Sequence, residues 1–127
     1  MKIAVAGVGY VGLVTAVTLA DVGHDVICLD VDKGKLKMLK EGISPIYEYG
    51  LEELMFKNRE RLEFTDDVTK YSEAQVIIIG VGTPEKEDGS ADLSAVFSVA
   101  DSIADNSSDG TVVVVKSTVP IGTCENV

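Results

Sequence analysis

Four short runs of the chain are apolar at every position and rich in β-branched residues: Ile3 to Ala6, Val26 to Leu29, Val76 to Ile79 and Val112 to Val115. A strand with one wet face alternates apolar and polar residues, so uniform runs of this length suit parallel strands covered on both sides. Between them the apolar positions take a helical spacing. This predicts helices over 10–22, 33–41, 51–60 and 92–105, with a brief strand near 62–65 and a short helix near 67–73. Gly23-His24-Asp25 and Asp109-Gly110 read as turns that end helices before strands. The order β-α-β-α-α-β-α-β-α-β predicts an α/β fold, a doubly wound parallel sheet with helices on both faces. There is no internal repeat, low-complexity tract or interdomain linker, and residues 1–127 read as one domain.

Where the first strand meets the first helix, the chain reads VAGVGYVGL, with glycines at 7, 9 and 12. Lys2 followed by a largely apolar stretch to Ala20 has the outline of a secretory signal. Three glycines within six residues would weaken an apolar helix, however, and Tyr10 and Thr15 interrupt it. A strand, a turn and a helix fit better, and that context strengthens the GxGxxG spacing as a dinucleotide fingerprint. Gly7 would permit the tight turn, Gly9 would let backbone approach a pyrophosphate, and Gly12 would let the helix pack on the strand.

The second strand ends in Cys28-Leu29-Asp30-Val31-Asp32, placing Asp30 18 residues beyond Gly12. That is close to the spacing expected of an acid that accepts both ribose hydroxyls. A carboxylate there repels a 2′-phosphate, so NAD is expected over NADP. Asp32 reads instead as the N-cap of the helix carrying Lys35. Two further loops, Gly80-Val81-Gly82-Thr83-Pro84 and Lys116-Ser117-Thr118-Val119-Pro120-Ile121-Gly122, reach the carboxyl edge of the sheet, where ligands of such folds bind. Tyr10, Val81 and Gly82 join the expected cofactor contacts by position, and Ser117 and Thr118 bring hydroxyls.

A formal net charge of −10 argues against a broad nucleic-acid or anionic-membrane surface. It does not argue against phosphate held locally by backbone N–H groups at a helix start. The two cysteines, Cys28 and Cys124, form no CxxC or Cys/His grouping, so neither a disulfide framework nor a metal site is indicated and a reducing cytoplasm is expected. The single histidine, His24, reads as a turn residue, and Cys28 as core packing.

In order and spacing, MKIAVAGVGYVGL, LDVDKGKLKMLKEGISPIYEYGLEEL, VGTPEKEDGSADLSAV and KSTVPIGT resemble the nucleotide-sugar dehydrogenases, the UDP-glucose/GDP-mannose dehydrogenase family, over essentially the whole chain. The family's usual PIYEPGL stands here as PIYEYGL, with Tyr49 in the proline position. The resemblance implies an NAD-dependent, two-step oxidation of a sugar C6 alcohol to a carboxylate, through an aldehyde-level intermediate held on a cysteine. It implies that Val11 and the glycine loop hold the pyrophosphate, and that Asp30 and Lys35 meet the adenosine ribose. Thr83 and Pro84 line the cofactor site, and Thr118, near the nicotinamide, assists catalysis by positioning a water. The family's nucleophilic cysteine belongs to later segments, so the resemblance makes this chain an N-terminal cofactor-binding piece of a longer, homo-oligomeric enzyme, lacking later strands and C-terminal domains. EDGSADLSAV and PIYE lean toward UDP-glucose as substrate, ahead of GDP-mannose or a UDP-N-acetylhexosamine. A non-catalytic NAD-sensing module is the competing reading; KSTVPIGT speaks against it, because a sensor needs no hydroxyl at the nicotinamide.

Overall fold

The computed structural model describes residues 1–127. Its strands are β1 (Lys2–Ala6), β2 (Asp25–Leu29), β3 (Leu62–Thr65), β4 (Val76–Ile79) and β5 (Val112–Val115). Its helices are α1 (Tyr10–Asp21), α2 (Lys33–Lys40), α3 (Leu51–Lys57), α4 (Ser94–Asn106) and the single turn α5 (Thr123–Asn126). All five strands are parallel and lie in the order β3-β2-β1-β4-β5, so the direction of winding reverses between β1 and β4.

The two-residue period of a strand sorts the apolar runs onto two faces. Ile3, Val5, Val26 and Cys28 point to one side, where they pack with Leu13, Ala16, Val17 and Ala20 of α1, Leu39 of α2, and Leu51 and Met55 of α3. Ala4, Ala6, Ile27, Leu29, Ile77 and Ile79 point to the other, against Tyr71, Ala74 and Ile103 of α4. Gly12, Leu13, Ala16, Val17 and Ala20 recur at helical spacing, so α1 buries one stripe along its length. No helix is long and apolar enough to cross a membrane.

The strands fall where the sequence pattern puts them, but several boundaries differ. The third helix stops at Lys57 because the Asn58 side chain donates to Leu54 O and to Asp21 Oδ1, each at 2.9 Å, and a 3-10 turn over Arg59–Arg61 follows. The predicted short helix near 67–73 is a 3-10 segment, Val68–Glu73, capped by Asp67. The fourth helix starts at Ser94 rather than 92, since the Asp92 carboxylate accepts from both the Ser94 N–H and its hydroxyl. Gly23 takes a left-handed φ of 107° just past the end of α1, as expected of a turn that closes a helix; Gly110 takes φ of 82° in a separate turn before β5, because α4 already ends at Asn106 with Ser107 as its cap. A small hairpin, with Glu85 bridging Ala91, and the final turn α5 were not legible in the pattern.

One expectation fails. The run Val112–Val115 reads as a strand covered on both faces, yet Val112, Val113 and Val114 are 57%, 41% and 40% exposed. The reason is topological: β5 lies at the sheet edge, paired only with β4, and Val115 alone of the four packs against the second core cluster. Core position and edge position should therefore separate in stability. Ile77→Ala, at a fully buried site, is expected to cost about 2–5 kcal/mol. Val113→Ala should stay within about 0.5 kcal/mol. Urea unfolding of the two variants checks this, and equal losses would contradict the assignment of β5 to an open edge.

Candidate functional site

The carboxyl ends of β1 and β4 lie side by side where the strand order reverses. Three glycines meet there. Gly7 has φ of 100°, a conformation L side chains rarely adopt. A carbon added to Gly12 would lie 1.9 Å from Gly7 O, and one added to Gly80 would lie 3.1 Å from Gly12 Cα. Main-chain bonds fix the contact: Gly7 N–H donates to Leu29 O and Gly80 N–H to Ala6 O, both at 2.8 Å. In the sequence Gly80 reads only as part of a turn; in the sheet it is the floor on which α1 rests.

Gly9 differs from these. Its φ of −72° suits any residue, and a carbon added there would meet nothing within 4 Å. Neither backbone strain nor a protein neighbour requires glycine at this position. The open space lies at the start of α1, whose first intrahelical bond runs from Leu13 N–H to Gly9 O at 2.9 Å. The N–H groups of Tyr10, Val11 and Gly12 consequently have no protein acceptor. No side chain caps the helix, and its first turn holds no acidic residue. The positive end of the helix dipole is left free for an anion, and a side chain at Gly9 would fill the approach to it.

Asp30 leaves β2 beside this loop. Its Oδ2 accepts from Val8 N–H and its Oδ1 from Asp32 N–H, both at 2.8 Å. The carboxylate thus ties the glycine loop to the turn before α2, a structural duty the spacing argument did not reveal. Two oxygens offer about four lone-pair sites, so acceptor capacity remains for two hydroxyls. Asp32 caps α2 through Lys35 N–H at 3.1 Å, as its position suggested. Lys35 itself is half-buried on the first turn of α2 and does not line the cleft beside Asp30.

That cleft, of about 180 Å³, opens between Asp30 and Val31 on one side and the Ala95, Ser98, Val99 and Ser102 stripe of α4 on the other, with Gly7, Val81 and Tyr71 among its walls. Burial, reinforced by the Asp30 charge, pushes the Tyr71 hydroxyl up to about 12. Ala95, Ser98, Val99 and Ser102 recur three and four residues apart along α4, a pattern the sequence analysis leaves unread; nothing local marks Tyr71.

The loops after β4 and β5 are cross-tied. Thr83 Oγ1 donates to Thr118 O at 2.8 Å, and Ser117 Oγ donates to Val81 O at 2.7 Å. The Ser117 proton is therefore turned inward, whereas Thr118 is exposed at the rim with Gly82 and Pro84 nearby in the same pair of loops. On the far side of the loop the Tyr10 hydroxyl donates to Glu48, and that bond, with the Glu48 charge, raises the phenol's pKa. Glu48 lies in PIYEYGL, 38 residues away in sequence. Tyr49, in the proline position, points almost wholly into solvent. Burial pushes the Cys28 thiol up to about 12, which removes it as a nucleophile, and Cys124 is exposed.

A doubly wound parallel sheet with a glycine loop at its switch point and an acid at the end of the second strand defines a Rossmann-type dinucleotide-binding domain. The model of the UDP-glucose/GDP-mannose dehydrogenase family, NAD binding domain, matches residues 1–127, and the chain belongs to that family. It is 52% identical to the UDP-glucose 6-dehydrogenase of Rhizobium meliloti (strain 1021), covering 100% of this chain and 30% of that protein. Among solved structures it resembles GDP-mannose dehydrogenase from Pseudomonas aeruginosa, at 39% identity and a TM-score of 0.92, covering 100% of this chain and 30% of that one. UDP-D-ManNAc dehydrogenase from Pyrococcus horikoshii gives 34% identity and a TM-score of 0.94, over 99% of this chain and 30% of that one. The chain thus spans about 30% of the length of these relatives, and as a member of an NAD-binding domain family its cofactor is NAD.

The glycines should divide by role. Gly12→Ala forces a carbon into the Gly7 carbonyl and is expected to cost about 3 kcal/mol, the upper end for overpacking. Gly9→Ala should leave stability within about 0.5 kcal/mol. Thermal melts of the two variants without ligand test the distinction, and a large loss at Gly9 would contradict it.

Proposed function

We propose that these residues bind the NAD of a UDP-glucose 6-dehydrogenase, in which two hydrides leave each sugar as its C6 alcohol becomes a carboxylate. The observation that carries the reading is the open space at Gly9 in front of three unpaired N–H groups, with Asp30 beside them. In this reading the N–H groups of Tyr10 and Val11 receive the pyrophosphate, and Gly7 and Gly12 shape the loop that presents them. Asp30 accepts the adenosine ribose hydroxyls, and Lys35 approaches the same sugar from α2. Val81, Gly82, Thr83 and Pro84 border the cofactor from the β4 loop. Thr118, held by the Thr83 tie, stands at the nicotinamide end with Ser117 behind it, and orients a water for the second oxidation. NAD supplies the hydride acceptor; the chain supplies position and charge.

UDP-glucose is favoured as substrate by relatives 52% and 51% identical that carry that activity in their names, from Rhizobium meliloti and Bacillus subtilis (strain 168). The 39% identical solved relative is named for GDP-mannose, which makes that sugar the alternative. Catalysis needs more than this chain. Oxidation beyond the aldehyde requires a covalent or hydrated intermediate, and neither Cys28, buried, nor Cys124, without an activating partner, serves as its thiol.

Calorimetry tests the cofactor reading. NAD should bind more tightly than NADP, and Gly9→Val should abolish binding while far-UV helical signal is kept. Asp30→Asn, which retains an acceptor for Val8, should narrow the NAD preference about tenfold, in keeping with the ~1.5–3 kcal/mol of a hydrogen bond to a charged group. Equal affinity for NADP would refute the role of Asp30. Mixed with NAD and UDP-glucose, the 127-residue chain should form no NADH; sustained turnover would show that catalytic machinery had been overlooked.

A further inference from the structure

Tyr71 is 3% exposed, and its ring is part of the core under α4, packed among Ile27, Leu29 and Ile77. A phenylalanine would satisfy that packing. The hydroxyl, by contrast, donates to no group of the protein, although buried tyrosines ordinarily find a partner. It is not sealed in either, since every fully enclosed side-chain polar atom is hydrogen-bonded. It opens onto the cleft that Asp30 and Val31 share with α4. Asp30, the nearest charged candidate, is already committed to the N–H groups of Val8 and Asp32, and makes no bond to Tyr71.

A hydroxyl without a protein partner, on a residue only 3% exposed and opening onto an apolar cleft, marks a place where a ligand completes the bonding. The cleft walls suit a flat apolar ring: valines at 31, 81 and 99, with small residues along α4. Resting on the cofactor reading above, we propose that the Tyr71 hydroxyl is a specificity-determining contact for the adenosine half of NAD, donating a hydrogen bond to an acceptor on that moiety inside the cleft. The phenol stays protonated at neutral pH, since burial and the Asp30 charge both raise its pKa, so it is always available as a donor. Asp30 offers only acceptors and Tyr71 supplies a donor, which gives the cleft both complements of an adenosine.

Tyr71→Phe removes the donor and keeps the ring. Binding of NAD, adenosine monophosphate and nicotinamide mononucleotide is measured by calorimetry on the wild-type and variant proteins, with a melting curve as the check on folding. The variant should bind NAD and adenosine monophosphate about fivefold more weakly, the effect of one neutral hydrogen bond. Nicotinamide mononucleotide binding should not change. Equal affinities of the two proteins for NAD would overturn the role of Tyr71 alone, while failure of the wild type to bind NAD at all would overturn the cofactor reading beneath it. A second measurement needs no substitution. In protein labelled with 3-fluorotyrosine, adenosine monophosphate should shift the fluorine resonance of the one buried tyrosine and leave those of the exposed Tyr47 and Tyr49 in place. An unmoved buried resonance would overturn the proposal even if Tyr71→Phe failed to fold.

Discussion

The contact between Gly12 and the Gly7 carbonyl is the tightest at any glycine of the chain, because no side-chain carbon can enter the space between them. It presses the first turn of α1 onto the end of β1, and Gly80, meeting Gly12 from β4, closes the contact from below. Much of the site follows from it. With α1 held this near the sheet, its unpaired N–H groups lie at the switch point, where the dipole of the helix acts over the shortest distance. The Val8 N–H is delivered to Asp30, so the acid at the end of β2 is both an anchor of the loop and a neighbour of the space the loop encloses.

The net charge of −10 opposes, at long range, the approach of a dinucleotide that carries two negative charges. Local fields decide otherwise. Backbone donors at a helix start act within a few ångströms, whereas the surface carboxylates are dispersed and screened beyond about 8–10 Å at ordinary salt. The first turn of α1 carries no acidic residue. Two carboxylates stand near this end of the helix and both are already engaged: Asp30 accepts from Val8 N–H, and Glu48 accepts from the Tyr10 hydroxyl.

What was legible in the sequence was the part that repeats locally. Two-residue and helical periods placed β1, α1 and β2, and the spacing from Gly12 to Asp30 marked the loop and its acid. Asp32 as a cap was legible because capping acts over three residues. The exposure of β5 was not, since an edge strand and a central one share the same apolar composition and differ only in their neighbours. Nor were the pairings of Val8 with Asp30, Tyr10 with Glu48, or Ser117 with Val81, which join residues 22 to 38 positions apart. Tyr71 was invisible for the same reason: its meaning lies in a cleft assembled from β2, the 66–71 segment and α4.

The account rests on an anion meeting the unpaired N–H groups of α1. Following backbone amide resonances of isotopically labelled protein during titration with NAD tests this most directly. The Tyr10, Val11 and Gly12 amides should move together and saturate with the same affinity, while those of Val113 and Val114 on the open edge stay fixed. Saturable shifts confined to residues away from the glycine loop, with these three amides unmoved, would contradict it.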